Sequence, residues 1–303
     1  MARTLLLTGI LLAAATNAAA QDRRDDYLGR IDSTFAFDRR GTVVLSVGAG
    51  EIVVTAWNRD QIRVRARSER SVIRMDATSS RLSLELARAR GGDSRFEVTV
   101  PIGVRVSARA TSGDVSITGT KGGVEGRTQS GDLTVDDVAE TIDLNTYSGD
   151  IVARTLNGNV EITTLSGEVG VSDVKGDVDV TSVSGDIDLR NVVARYVRAK
   201  TTSGDVSYDG AIDSTGRYEL GSHSGSVYLT VPQNTGALLS VATYSGSIES
   251  DFPITLKPGE HGIGASKRFT FEIGKGDARI SAESFSGDIT IRSKGRRAGP
   301  TDR

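Results

Sequence analysis

Residues 111–205 decide the fold, because one tripeptide keeps returning there: Ser112-Gly113-Asp114, Ser130-Gly131-Asp132, Ser148-Gly149-Asp150, Ser184-Gly185-Asp186 and Ser203-Gly204-Asp205. Ser166-Gly167-Glu168 keeps the same phase, so the period is 18 residues. Asn157-Gly158-Asn159 and Lys175-Gly176-Asp177 divide that period into nines. After each glycine, apolar residues stand two and four positions on: Val115/Ile117, Leu133/Val135, Ile151/Ala153, Val169/Val171, Ile187/Leu189, Val206/Tyr208 and Val227/Leu229. A second alternating set precedes the next turn: Val124/Gly126/Thr128, Ile142/Leu144/Thr146, Val160/Ile162/Thr164, Val178/Val180/Ser182 and Val197/Ala199/Thr201. Both alternate with the period of a half-buried strand, and nothing in the chain has a helical period.

Strand, turn, strand, turn makes one coil. Coils stacked at ~4.8 Å lay like residue over like and bury the inward columns continuously. The expected fold is therefore all-β: a β-solenoid of about 18-residue coils with two main strands each. A left-handed hexapeptide helix also has such coils, but its subdivision is six, whereas here it is nine.

Working outward, residues 35–108 contain further alternating runs, among them Val43/Leu45/Val47, Ile52/Val54, Ile62/Val64, Leu82/Leu84 and Phe96/Val98/Val100. This segment reads as an antiparallel or mixed β unit that caps the stack, since an open solenoid end exposes unpaired strand edges. Residues 21–34 are charged and aperiodic and read as a flexible lead-in. Residues 1–20, with Arg3, an apolar run and a closing Ala18-Ala19-Ala20, read as a secretory signal peptide. The repeat domain is placed at 109–292. Within it the spacing lengthens to Gly225 and Gly246, then jumps to Gly287, so a loop or irregular coil interrupts the stack over 251–268 before Phe269/Phe271/Ile273 resume it and the last copy closes it. Residues 293–303 read as a disordered basic tail.

With 37 basic and 39 acidic residues, the chain has no basic field of the kind that nucleic acid requires. It contains no cysteine, so a core without disulfides must hold it, and a lipid anchor on cysteine is excluded. No later stretch is apolar for long enough to cross a bilayer as a helix. The high glycine count (35) and the few aromatics (5%) suit a chain of many tight turns.

The arrangement of signal peptide, a β segment running from Gly50-Glu51-Ile52-Val53-Val54 to Trp57, a strand ending Val100-Pro101, and the repeated T-x-S-G-D-[VIL]-x-[VIL] resembles the DUF4097 family. Its members are bacterial envelope proteins that carry an adhesin label and a β-strand repeat domain. The resemblance spans roughly 35–292 and implies a β-repeat fold and an envelope role. It brings no catalytic residues and no cofactor.

The glycines 113, 131, 149, 167, 185, 204, 225, 246 and 287 are expected to supply positive φ at turns, with the flanking Ser and Asp bonding turn backbone. Two acidic columns stand beside them: Asp114, Asp132, Asp150, Glu168, Asp186 and Asp205, and, on the second strand, Glu125, Asp143, Glu161 and Asp179. Like charges ~5 Å apart in water repel by only ~0.8 kcal/mol, so either column is tolerable as a solvated ladder, or hard cations bridge it with oxygen ligands. The paired glycines of the calcium-binding nonapeptide are missing. A third column, Gln129, Tyr147, Leu165, Val183, Thr202, His223, Tyr244 and Phe285, alternates outward. Its apolar members Tyr147, Leu165, Val183, His223, Tyr244 and Phe285 form either an exposed partner or ligand strip, where flat rings could stack on sugars, or an edge covered by a loop or a second copy.

The chain is poor in catalytic constellations. It has only His223 and His261, and Gly221-Ser222-His223-Ser224-Gly225 puts His where a nucleophile elbow needs Ser. The carboxylate pairs Asp177/Asp179 and Asp186/Asp188 would suit a polysaccharide-active β-helix enzyme, yet two acidic columns create such pairs without any chemistry. The reading is an exported, non-enzymatic binding or adhesin-like module of the cell envelope, taking an envelope glycan or envelope protein as partner. The alternatives are a polysaccharide-active enzyme and a scaffold or sensor for another envelope protein.

Overall fold

A computed structural model describes residues 23–87, 92–253 and 267–295. They form 23 strands joined in one hydrogen-bonded system. The regular part runs from β6 (Arg105–Thr118) through β7 (Val124–Ser130), β8 (Leu133–Ala139), β9 (Ile142–Ser148), β10 (Ile151–Asn157), β11 (Val160–Ser166) and β12 (Val169–Lys175). It continues through β13 (Val178–Ser184), β14 (Ile187–Val193), β15 (Tyr196–Ser203), β16 (Val206–Gly210), β17 (Arg217–Ser224) and β18 (Val227–Pro232). From β8 to β16 each strand pairs in parallel with the second strand before it and the second after it. Val160, for example, lies between Ile142 and Val178, and Ile151 lies between Leu133 and Val169. The chain is a β-solenoid with two main strands per coil.

The inward columns are closed to solvent: Ile142, Leu144, Ile151, Val178, Val180, Ile187 and Leu189 are all essentially inaccessible. A third buried column, Val138, Leu156, Val174 and Val192, lies at the far end of the first strand of each coil. The residues just before it, Asp137, Thr155, Asp173 and Asn191, take φ of 52–57° and are skipped by the ladder. A left-handed residue there bends the coil and turns the next side chain inward.

The Ser-Gly-Asp corner is a stacking device. The Gly167 amide donates to Ser184 O at 3.1 Å, and the Asp150 carboxylate accepts the Glu168 amide at 2.8 Å. Ser222 Oγ and Ser284 Oγ each donate to a glycine carbonyl of the neighbouring coil at 2.8 Å. The same pattern links Asp114 to Asp132, Asp132 to Asp150 and Asp186 to Asp205. Glycine is needed for two reasons at Gly167: its φ is +127°, and an added Cβ would lie 2.1 Å from the Gly149 carbonyl oxygen. At Gly287 and Gly246 the expected left-handed φ is not found, and the close approach alone requires glycine, with a Cβ 2.1 Å from the oxygen of the glycine beneath. The spacing of 21 residues before Gly225 accommodates a buried tyrosine pair. Tyr208 and Tyr218 meet edge to face at 5.7 Å and donate to Ala211 O and Ala194 O, both at 2.7 Å. Burial pushes both phenols up.

The ends depart from chain order. β2 (Thr42–Trp57) lies on β6 in unbroken parallel register, with Gly50 opposite Gly113. Beyond it β4 (Arg81–Leu86) and β5 (Ser94–Pro101) share one coil, both parallel to β2. β3 (Gln61–Ala77) then runs antiparallel to β4 and β5, and β1 (Arg23–Ala36) runs antiparallel to β3. Two expectations are corrected here. From Arg23 the lead-in is strand, because an outermost strand needs backbone pairing on one side only and tolerates charge. No boundary falls at 108/109, since β6 crosses it and β2 is itself a coil of the stack.

At the other end β22 (Ala278–Ser286) and β23 (Ile289–Lys294) pair with β17 and β18. β19 (Ala237–Ser245) and β20 (Ile248–Ser250) pair with the outer side of that coil, and β21 (Lys267–Ile273) runs antiparallel on β19. The last copy was expected to close the stack, but it is inserted inside it. Of the expected tail, Ser293 and Lys294 belong to β23. The expected signal peptide over 1–20 and residues 296–303 lie outside the described residues.

Candidate binding ridge

The outward residue before each corner serine lies in one row: Gln129, Tyr147, Leu165, Val183, Thr202, His223, Phe285, Tyr244. The inserted coil places Phe285 between His223 and Tyr244, so the three rings form a ladder. His223 and Phe285 are 4.8 Å apart and 11° from parallel; Phe285 and Tyr244 are 4.9 Å apart and 3° from parallel. All three are exposed. Tyr147 is 65% exposed, Phe285 49%, Tyr244 48% and Val183 43%, while Leu165 is half-buried. Among the described residues no loop covers the row.

The ladder changes one expectation. The faces of Phe285 are occupied by His223 and Tyr244, so solvent meets ring edges, and the flat platform on which a sugar ring would stack is largely used up. A shallow groove of about 420 Å³ runs beside the rings, with Gly221 and Ala242 in its floor and Lys200, Arg268 and Glu283 along it. Lys200 pairs with Glu219 at 3.7 Å and Arg268 with Glu283 at 3.5 Å.

With the coils and ridge in place, the comparisons with known proteins can be read. The family model described as Toastrack DUF4097 matches residues 42–292. The chain belongs to that family. No curated protein sequence matches it significantly. Two solved structures similar to this Toastrack chain are a provisionally named cell adhesion protein from Clostridium sporogenes and a provisionally named adhesin from Bacteroides fragilis. The first has 11% identity and a TM-score of 0.21 and covers 88% of this chain and 100% of its own. The second has 12% identity and a TM-score of 0.34 and covers 86% of this chain and 96% of its own. A provisionally named lipid binding protein from Parabacteroides distasonis has 11% identity and a TM-score of 0.24, covering 87% and 96%. At such scores these neighbours carry no functional argument.

Three of the four second-strand carboxylates of this Toastrack chain have a guanidinium beside them. Glu125 accepts from Ser107 Oγ and from Arg109, both at 2.9 Å, and lies 3.0 Å from Arg127, which also reaches Asp143 at 3.6 Å. Partial burial pushes the Glu125 carboxyl up, but the Ser107 and Arg109 hydrogen bonds and both guanidinium charges outweigh it, and the net shift is downward. Asp179 lies 3.8 Å from Arg198. Glu161 is exposed between Asp143 and Asp179 in the register. No group of three or more His, Cys, Asp or Glu placed to hold a metal occurs among the described residues.

The other chemical candidates also have structural partners. Asp177 accepts the Tyr196 amide at 2.9 Å, and Asp188 pairs with Arg190. Ser222 is buried and its hydroxyl is bonded to Gly204 O, while its neighbour His223 is stacked on Phe285. The hydroxyls of Thr146 and Ser182, in the same inward column as Ser222, have no hydrogen-bond partner. The ladder of three rings was hidden in the sequence only by the order of the coils; each ring already stood at the position before a Ser-Gly pair.

Proposed function

We propose that this Toastrack protein is an exported, non-enzymatic binding module of the cell envelope, with the row from Tyr147 to Tyr244 as its contact face. The observation that carries this reading is the exposed ladder His223, Phe285, Tyr244, continued by Val183 and Tyr147 along one outer edge. A contiguous apolar strip on a soluble surface commonly marks an interaction site. The commitment of Asp177, Asp186, Asp188 and Ser222 to structural partners supports binding over catalysis. The family's envelope association and the leader-like residues 1–20 support export.

The test is co-sedimentation of residues 21–303 with isolated peptidoglycan and with outer-membrane vesicles, beside a Tyr147→Ser/Phe285→Ser/Tyr244→Ser variant of matched thermal stability. Wild type should pellet with one of the two fractions and the variant should stay in solution. Equal pelleting of both proteins, or turnover of an envelope polymer by the wild type, would overturn the reading.

A further inference from the structure

The ridge has an asymmetric border. Three residues beyond each of the first five ridge positions, across the Ser-Gly corner, stands an acidic residue: Asp132 with Gln129, Asp150 with Tyr147, Glu168 with Leu165, Asp186 with Val183 and Asp205 with Thr202; beyond His223 and Tyr244 the same place holds Ser226 and Ser247. Asp114 extends the column by one coil. These carboxylates stack from coil to coil through their bonds to the next backbone amide. None of the six has a cation within ion-pair distance among the described residues, whereas in the second-strand column Glu125, Asp143 and Asp179 each have one and Glu161 alone has none. The opposite border of the ridge is balanced: Arg127 pairs with Glu125 and Asp143, Lys200 with Glu219, and Arg268 with Glu283. The uncompensated negative charge of the ridge is therefore concentrated along one side.

The repeat selects the shape of the occupant. From Tyr147 to Tyr244 the row has seven positions, a straight edge of ~29 Å at ~4.8 Å per coil. A helix lying along it presents a side chain from one face every three to four residues, or ~5 Å, and needs about 19 residues to span it. Same-face residues of an extended strand recur only every ~6.7 Å, out of step with the ridge.

Resting on the binding reading above, we infer that the ridge seats a cationic amphipathic helix of a partner protein. Its apolar stripe lies on Tyr147, Leu165, Val183, His223, Phe285 and Tyr244, and its Lys or Arg border lies over Asp150, Glu168, Asp186 and Asp205. Charge favours this occupant over the others. A phosphate- or carboxylate-rich polymer or bilayer would meet the column with like charge, so the envelope pelleting tested above is expected through a protein carried by the fraction, and a second copy related by a two-fold across the ridge would set two acidic columns together.

The probe is a labelled 19-residue peptide of Leu at helical spacing with Lys elsewhere. It is compared with a Leu/Glu peptide of the same pattern and with a Leu/Lys peptide rearranged to period two. Fluorescence anisotropy should show binding of the first peptide alone, and circular dichroism should show that it gains helix on binding. Asp150→Asn/Asp186→Asn/Asp205→Asn keeps the oxygen that accepts each amide while removing the charge. It should weaken binding roughly tenfold or more and flatten its salt dependence. Should that variant unfold, the salt dependence of wild-type binding decides alone. Failure of the Leu/Lys helix peptide to bind, equal binding of either control, or binding indifferent to salt would overturn the inference. If the ridge variant still loses envelope pelleting while the peptide fails, the binding reading stands and only the partner class falls.

Discussion

Between β6 and β18 the order of coils in space is the order in the chain; at the two ends it is not. Counting outward from β6, the N-terminal layers are β2, then β4 with β5, then β3, then β1. Counting outward from β18, the C-terminal layers are β22 with β23, then β19 with β20, then β21. Each end thus leaves one coil's width vacant, turns back with an antiparallel strand, and fills the gap with a strand from further along the chain. The middle is quasi-one-dimensional, each coil depending on its two neighbours. The ends tie three layers together and finish on antiparallel strands that present a different edge from the parallel ladder within. A repeat can be extended by copying, but it must be terminated by a change of rule.

The comparison can be broken at its strongest point by putting a side chain into the corner. Gly167→Val in the middle combines a left-handed φ with a clash against Gly149 O and should cost roughly 3 kcal/mol or more. Gly48→Ala in β2, where an added Cβ meets nothing within 4 Å, should lie within about 0.5 kcal/mol of wild type. Urea unfolding of the pair measures both, and equal effects would show that the corner does not govern the middle.

A smaller effect separates charge from hydrogen bonding in the corner column. Asp186→Ala leaves the Asp205 amide without its 2.8 Å acceptor and should cost about 0.5–1.5 kcal/mol, whereas Asp186→Asn should cost much less. Thermal unfolding compares them; an Asn variant as damaged as the Ala variant would assign the role to the charge. Smaller again, and opposite in sign, is Thr155→Gly. Thr155 is a β-branched residue at φ 54° in a regular coil, so relief of strain should stabilise by about 1 kcal/mol or slightly less, after the entropy that glycine adds to the unfolded chain. Loss of stability would mean that the methyl and hydroxyl make contacts that outweigh the strain.

The smallest prediction is a pH effect. Because the folded state holds the Glu125 carboxyl below its ordinary value of 4.5, its contribution is present above that value and is lost as pH falls through the lower folded value. Glu125→Gln should therefore show a shallower loss of melting temperature with acidification below about pH 4.5 than wild type. Identical slopes would leave Glu125 without linkage to folding.

The middle was legible because its three requirements leave different marks on the residues. Inward strand positions show as a period of two, the corner shows as Ser-Gly-Asp, and the stacking of coil on coil shows as the constant interval. The third inward column was equally periodic at Val138, Leu156, Val174 and Val192, but the alternation breaks at the left-handed residue before it, so a search for period two passed over it. Gly50 carries Ala and Glu where the later corners carry Ser and Asp, which concealed its place in the glycine column. The order at the C-terminal end left no mark at all. Gly225, Gly246 and Gly287 have similar corners, and the strands that flank them alternate alike, so any of those coils fits on any other. For the same reason the ridge was readable as a set of residues, while the ring ladder, which depends on Phe285 lying between His223 and Tyr244, was not.

The insertion of β22 and β23 bears on how the molecule comes into being. Synthesis delivers the chain from its N-terminus, so the regular coils can stack in the order in which they emerge. The coil of β19 and β20 must then wait, because its neighbour on the inner side is made of residues that arrive later. A chain broken off before Ala278 has β17 and β18 on one side, β19 and β20 on the other, and nothing to lie between them. Closure of the C-terminal end thus reports that translation has reached the final coil, and a truncated product shows open strand edges to whatever inspects newly made proteins.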